Sequence, residues 1–257
     1  MRTPPVSTLD WDPPAAPFHI DGQVSLDSSD WGFVCARTGT GGGYVAKSLG
    51  FTRDELFPVN VAELLNSERI TDQHFLIRKL HSYGIDAVEL REFCETWKSR
   101  RFQGFYADVA CRYNMYSDFL KRVFPTSKRV LLHRHPLDRL YFIIRNDPTF
   151  VPTFDNMFRQ CVEYQMLGDA RVDWTLRVRY EAFEENPLLA LRSITQHFGI
   201  PTPETCEKID IHQRWYMSDD VCRFANELYD RGKSDLITLM DLSRFISEEE
   251  LRDAIDG

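Results

Sequence analysis

Residues 35–43 read Cys35-Ala36-Arg37-Thr38-Gly39-Thr40-Gly41-Gly42-Gly43. Four glycines in five positions (39–43) let successive backbone N–H groups turn toward one point, and Thr38 and Thr40 add hydroxyl donors beside them. A helix-compatible stretch follows, whose N-terminus contributes partial positive charge to the same point. The chemistry is that of an anion cradle. Arg37, at the end of the preceding apolar run, would place a planar bidentate cation on that anion, where lysine offers only a point charge. Arg37, Thr38, Gly39, Thr40, Gly41 and Gly42 are therefore candidate anion-binding residues. A competing register takes Gly41–Ser48 (GGGYVAKS) as a nucleoside-triphosphate loop with Lys47 on the phosphates. In it Ala46 stands where a glycine is needed for close backbone approach, so Lys47 reads better as an ordinary helix lysine.

Two further constellations lie downstream. Val130–Arg139 reads VLLHRHPLDR, a buried-strand pattern leading into Arg134. Val178-Arg179-Tyr180-Glu181 is followed by Asn186-Pro187 and a helical stripe to Gly199. With the loop at Arg37, these resemble the sulfotransferase family. Arg37-Thr38-Gly39-Thr40 fits the first four positions of its [RK]-[ST]-G-[TS]-[TS] phosphosulfate loop, and Gly41 departs at the fifth. HRHPLD is similar to the family's R-x-P-x-D, and RYE with Asn-Pro to its Y-E-D-L segment. Together the motifs cover about residues 31–200 in the family's order.

The resemblance implies 3′-phosphoadenosine-5′-phosphosulfate as donor, with no metal. It implies the phosphosulfate on residues 37–42, the 3′-phosphate on Arg134 and adenine near Tyr180. Sulfuryl transfer needs in-line positioning, cationic stabilisation of the bridging oxygen and a base at the acceptor hydroxyl. Arg37 is the charge stabiliser. Asp108, loosely aligned with a family histidine, and Glu55, placed as in branches acting on sugars, are the candidate bases. His133 and His135 flank Arg134 and are expected to shape the nucleotide site. Three departures stand out: Phe142 replaces a serine eight residues after Arg134, Tyr106 replaces a middle-strand lysine, and Arg231-Gly232-Lys233 only loosely echoes a late phosphate clamp. Arg145 is a substitute donor for Phe142. These departures keep a non-catalytic binding protein open beside the enzyme, as Lys47 keeps open a kinase using ATP and magnesium.

Such residues must be held by a scaffold. Trp31–Ala36, Gly104–Ala110, Val130–His133 and Val172–Arg179 read as strands. Asp155–Leu167 places its apolar residues mostly on one helical face. Asn186, Pro187 and Gly199 bound another helix, and Ser247-Glu248-Glu249-Glu250 opens a last one with a capping box. Short apolar strands alternating with helices predict an α/β fold, a mostly parallel sheet covered by helices on both faces in three layers, and the resemblance implies that this sheet is like that of a P-loop nucleotide kinase. Residues 1–30, rich in proline and aspartate, read as a leader, and 31–257 as one domain with a helical C-terminal part.

The chain has 257 residues, 43% of them hydrophobic, enough to bury a core. A net charge of −8 excludes a general nucleic-acid or membrane binder, whose affinity needs positive surface. That charge is uneven, since residues 98–134 carry nine Lys or Arg against Asp108 and Asp118. The six cysteines form no metal-type pair, and no signal-like apolar segment opens the sequence, so a cytoplasmic location is expected. The partner is then an acceptor, a small molecule or a carbohydrate; its identity and the oligomeric state are not legible.

Overall fold

The structure, a computed structural model, describes residues 29, 31–37, 39–49, 106–110, 121, 124–171, 174–207, 214–241 and 246–256, with backbone alone for Trp31 and 106–110. In chain order the elements are β1 (Trp31–Ala36), α1 (Gly42–Ser48), β2 (Tyr106–Ala110), β3 (Lys128–His133), α2 (Pro136–Asn146) and α3 (Phe154–Phe158). A π-helix (Arg159–Leu167), α4 (Gly168–Ala170), β4 (Leu176–Arg179), α5 (Glu181–Glu185) and α6 (Pro187–Phe198) follow. A 3-10 turn (Trp215–Met217), α7 (Asp219–Asp230), α8 (Ser234–Asp241) and α9 (Glu248–Asp256) complete the order. The leader expected over 1–30 lies outside the described residues, apart from Ser29. The described residues fall into two compact units, up to 132 with 174–207, and 133–171 with 214–256.

The first unit holds the sheet, in the order β2-β1-β3-β4. β1 runs parallel to both neighbours, with Cys35 opposite Ala110 and Leu131. This is the expected α/β class, a parallel sheet flanked by helices. A strand with both neighbours parallel is covered on both faces, which explains the unbroken apolar run from Phe33 to Ala36, all buried. Val34, Ala36, Val130 and Leu132 pack with Val45 and Ala46 of α1, Phe183 of α5 and Leu191, Ile194 and Phe198 of α6. Phe33, of opposite parity, stacks obliquely on Phe124 at 5.1 Å.

α6 has the ends its sequence calls for. Asn186 accepts a hydrogen bond from Leu189 N (3.1 Å), Pro187 fills the first position, and Gly199 turns left-handed at φ 74°. Lys128 donates to the carbonyl of Phe198 (2.7 Å), a cation on the negative end of the helix.

The second unit is helical, with one core drawn from α2, α3, the π-helix and α7–α9. Asp155–Leu167, expected as one regular helix, departs from that period: α3 ends at Phe158 and a π-helix continues. Wider winding turns residues five apart toward the same side, and Gln160 and Gln165 use it. Arg139 donates to the Gln160 carbonyl (3.1 Å) and lies at 3.5 Å from Gln165 Oε1, while Gln165 Nε2 donates to the carbonyl of Arg134 (2.6 Å). α9 opens with the expected capping box: Glu250 N donates to Ser247 Oγ (3.2 Å), and Ser247 N donates to Glu250 Oε2 (2.9 Å). Among the described residues no helix is long and apolar enough to cross a membrane.

Candidate functional site

β1 delivers Arg37 to its C-terminal end, the end at which open parallel sheets bind ligands. Arg37 is buried, at 7% exposure. Its carbonyl accepts from both Thr40 N (2.9 Å) and Thr40 Oγ1 (2.8 Å), closing a tight turn. Gly39 occupies the third position of that turn at φ 87°, the conformation a type II turn reserves for glycine. Gly41 repeats a left-handed value of 86°, and from its carbonyl α1 begins, accepting from Val45 N (3.0 Å). Gly42 is the first residue of α1. Two of the loop's glycines are thus demanded by the backbone. Thr40, expected to present its hydroxyl to an anion, donates that hydroxyl inward, because a short side chain readily reaches the carbonyl three residues back. Thr38 lies outside the described residues.

The same unit brings Tyr180 to this loop. A Cβ on Gly41 would collide with Tyr180 Cε2, 2.5 Å from Cδ2 and 3.2 Å from Cζ. The ring edge therefore occupies the space of a side chain at position 41. Three residues on, Phe183 is fully buried and meets the ring of Tyr44 edge-on at 5.6 Å. Tyr44 in turn donates its hydroxyl to the Glu207 carbonyl (2.5 Å) and lies 2.7 Å from Cys206 Sγ. Burial first, then the Cys206 contact, push the Tyr44 hydroxyl above its ordinary range, so it stays protonated. Lys47 pairs with Glu207 at 2.8 Å, both side chains largely exposed. α1 is thus clamped along its length, and Lys47 belongs to the clamp.

In the helical unit Arg134, two residues before α2, is buried, its carbonyl held by Gln165. His133 Nδ1 lies 2.9 Å from the buried Asp169, and His135 Nε2 lies 3.0 Å from Asp241, so each flanking imidazole is oriented by a carboxylate. Asp138, first-turn acid of α2, accepts from Trp215 N (2.6 Å) and Arg214 Nη1 (3.2 Å). Phe142 is half-buried on α2 and Arg145 exposed near its end. The Arg231-Gly232-Lys233 turn is a helix stop: Gly232 N donates to Tyr229 O (3.0 Å) and Lys233 N to Leu228 O (2.9 Å). Its cations serve packing, with Arg231 over the Phe154 ring at 3.8 Å and Lys233 Nζ donating to the Ile255 carbonyl.

Asp108 sits on β2 opposite Phe33, two residues before the strand ends, and Tyr106 lies opposite Trp31 at the far end of β1 from the loop. Glu55 lies outside the described residues. Among the described residues no three His, Cys, Asp or Glu side chains are grouped to hold a metal ion. Sequence reasoning missed Gln165 at Arg134, Gln160 at Arg139 and Asp169 at His133, and Tyr44 and Phe183 behind the loop. Nothing local marked the first three; the apolar spacing of α1 and α5 could have flagged the last two.

Compared with known proteins, the chain matches the sequence profile of the sulfotransferase family over residues 65–204, more than half its length. That stretch contains Arg134 and Tyr180 and begins after the glycine-rich loop. No curated protein matches the chain. Among solved structures it is similar to a sulfotransferase from Alicyclobacillus acidocaldarius, with 15% identity over 86% of this chain and 98% of that one and a TM-score of 0.46. A sulfotransferase domain of the curacin biosynthetic pathway shows 14% identity over 80% and 98%, with a TM-score of 0.46. A mouse sulfotransferase complexed with PAP shows 14% identity over 91% and 90%, with a TM-score of 0.45.

Proposed function

The chain belongs to the sulfotransferase family, and on that premise we propose that this enzyme moves a sulfuryl group from 3′-phosphoadenosine-5′-phosphosulfate to a hydroxyl or amine of a small-molecule or carbohydrate acceptor. The bond from sulfur to the donor's bridging oxygen breaks as a bond to the acceptor atom forms, and the acceptor's proton leaves to a base. Arg37 stabilises the charge that develops on the bridging oxygen. The backbone amides of Gly39, Gly41 and Gly42, with Thr38, hold the phosphosulfate, Arg134 holds the 3′-phosphate, and Tyr180 completes the donor-binding set; Thr40, whose amide and hydroxyl both close the turn on the Arg37 carbonyl, shapes the loop. Asp108 and Glu55 are the proposed bases. The reading keeps the cytoplasmic location expected from the sequence.

The observation that carries it is the loop itself: a buried arginine at the end of a central parallel strand, followed by two left-handed glycines. Such a turn directs amides and a planar cation at one anion without a metal ion. The kinase register loses support, since Lys47 is engaged with Glu207 at the surface.

Thermal-shift titration with adenosine 3′,5′-bisphosphate and with magnesium ATP is the first test. Stabilisation by the bisphosphate, lost in Arg37→Ala and in Arg134→Ala, is expected; stabilisation by ATP alone would overturn the donor assignment. Labelled donor with a panel of hydroxyl and amine acceptors then identifies the substrate, and Arg37→Ala should abolish turnover.

A further inference from the structure

We infer that the Tyr180 phenol acts on the phosphosulfate end of the donor, supplying there the hydroxyl that Gly41 lacks, rather than contacting adenine. The inference rests on the donor reading above and assigns one residue a more definite place in it. Two observations carry it. The fifth loop position, Ser or Thr in the motif the chain resembles, is Gly41, held at φ 86°, and the space of its side chain is filled by the edge of the Tyr180 ring. The ring carbon that bears the hydroxyl, Cζ, lies 3.2 Å from where a Cβ at position 41 would be, so the phenol end of the ring borders the loop at that position.

The second observation is that Thr40 donates its hydroxyl back to the Arg37 carbonyl at 2.8 Å. Beside Thr38, a further hydroxyl donor for an anion at this loop then has to come from another segment, and Tyr180 brings one to the loop. Its position is firm. The Tyr180 carbonyl accepts from Phe183 N (3.0 Å) as α5 begins, its ring is 6.5 Å from that of the fully buried Phe183, and it packs on the sheet core. A ring fixed in this way loses little further rotamer freedom on binding, so a hydrogen bond from it to an anion retains most of its strength.

The test is calorimetric binding of three probes, adenosine 3′,5′-bisphosphate, adenosine 3′-phosphate and inorganic pyrophosphate, to the wild type and Tyr180→Phe. The variant keeps the ring and removes one oxygen. Loss of one hydrogen bond to a charged acceptor weakens the bisphosphate and pyrophosphate roughly tenfold. Adenosine 3′-phosphate, which has no 5′-phosphate, should bind the two proteins alike. An equal loss for both nucleotides, or no loss for the bisphosphate, overturns the inference. Should the wild type bind pyrophosphate in a Tyr180-dependent way yet ignore both nucleotides, the donor reading falls and the Tyr180 assignment stands. Binding of none of the three overturns both.

Discussion

Asp138→Ala should destabilise the protein by about 2–4 kcal/mol, mainly through a backbone amide. The Asp138 carboxylate is almost fully buried and makes two contacts, accepting from Trp215 N at 2.6 Å and from Arg214 Nη1 at 3.2 Å. Removing it leaves the Trp215 N–H without its charged acceptor, and a hydrogen bond to a charged group contributes about 1.5–3 kcal/mol net. Breaking a fully buried ion pair costs about 3–5 kcal/mol, but the Arg214 side chain is 30% exposed, so water screens the cation and the pair adds only up to about 1 kcal/mol. Asp138→Asn keeps an acceptor for Trp215 and should cost about 1–2 kcal/mol, and Arg214→Ala less than about 1 kcal/mol. Urea unfolding with an unchanged m value reads these as midpoint shifts. Arg214→Ala as costly as Asp138→Ala, or Asp138→Ala within about 0.5 kcal/mol of wild type, would refute the reasoning.

Gly41 and Gly232 have nearly the same left-handed backbone, φ 86° and 76°, but a Cβ at 232 meets nothing within 4 Å whereas one at 41 strikes Tyr180. Gly232→Ala should therefore cost about 1 kcal/mol from backbone strain alone, and Gly41→Ala clearly more, measured by urea midpoint; equal losses would contradict the contact. Lys47→Ala removes an exposed pair with Glu207, so stability should change by less than about 1 kcal/mol and the affinity for adenosine 3′,5′-bisphosphate stay within about twofold. A large loss of nucleotide affinity would restore the kinase-type loop. Burial first, then the charge of Lys128, lowers the His197 pKa below its ordinary 6.5. The folded state thus binds fewer protons than the unfolded one just below pH 6.5, so this contribution is complete above that pH and declines as pH falls through the lowered value. His197→Gln should flatten the fall in stability between pH 6.5 and lower pH in urea titrations, and an unchanged slope would assign it to other groups.

What the sequence determined by itself is local. Each strand and cap that was legible depends on residues within a few positions: the unbroken apolar run of β1, Asn186 with Pro187 and Gly199 bounding α6, and Ser247 with Glu250 opening α9. The backbone of the glycine-rich loop was legible for the same reason, because the left-handed turns at Gly39 and Gly41 need glycine wherever the chain goes afterwards. Other roles were decided by tertiary packing. Thr40 turned its hydroxyl to a carbonyl in its own turn, Arg231 went to a phenylalanine ring and Lys233 to a helix-end carbonyl, since a cation or hydroxyl takes the nearest partner that packing supplies. The π-winding of 159–167 follows from Arg139 gathering Gln160 and Gln165, which a 3.6-residue period would set apart. Tyr180 reaches Gly41 across 139 positions of sequence, and His133 reaches Asp169 across 36. No spacing rule encodes such pairs, because the chain between them is free to take many paths until a shared core selects one.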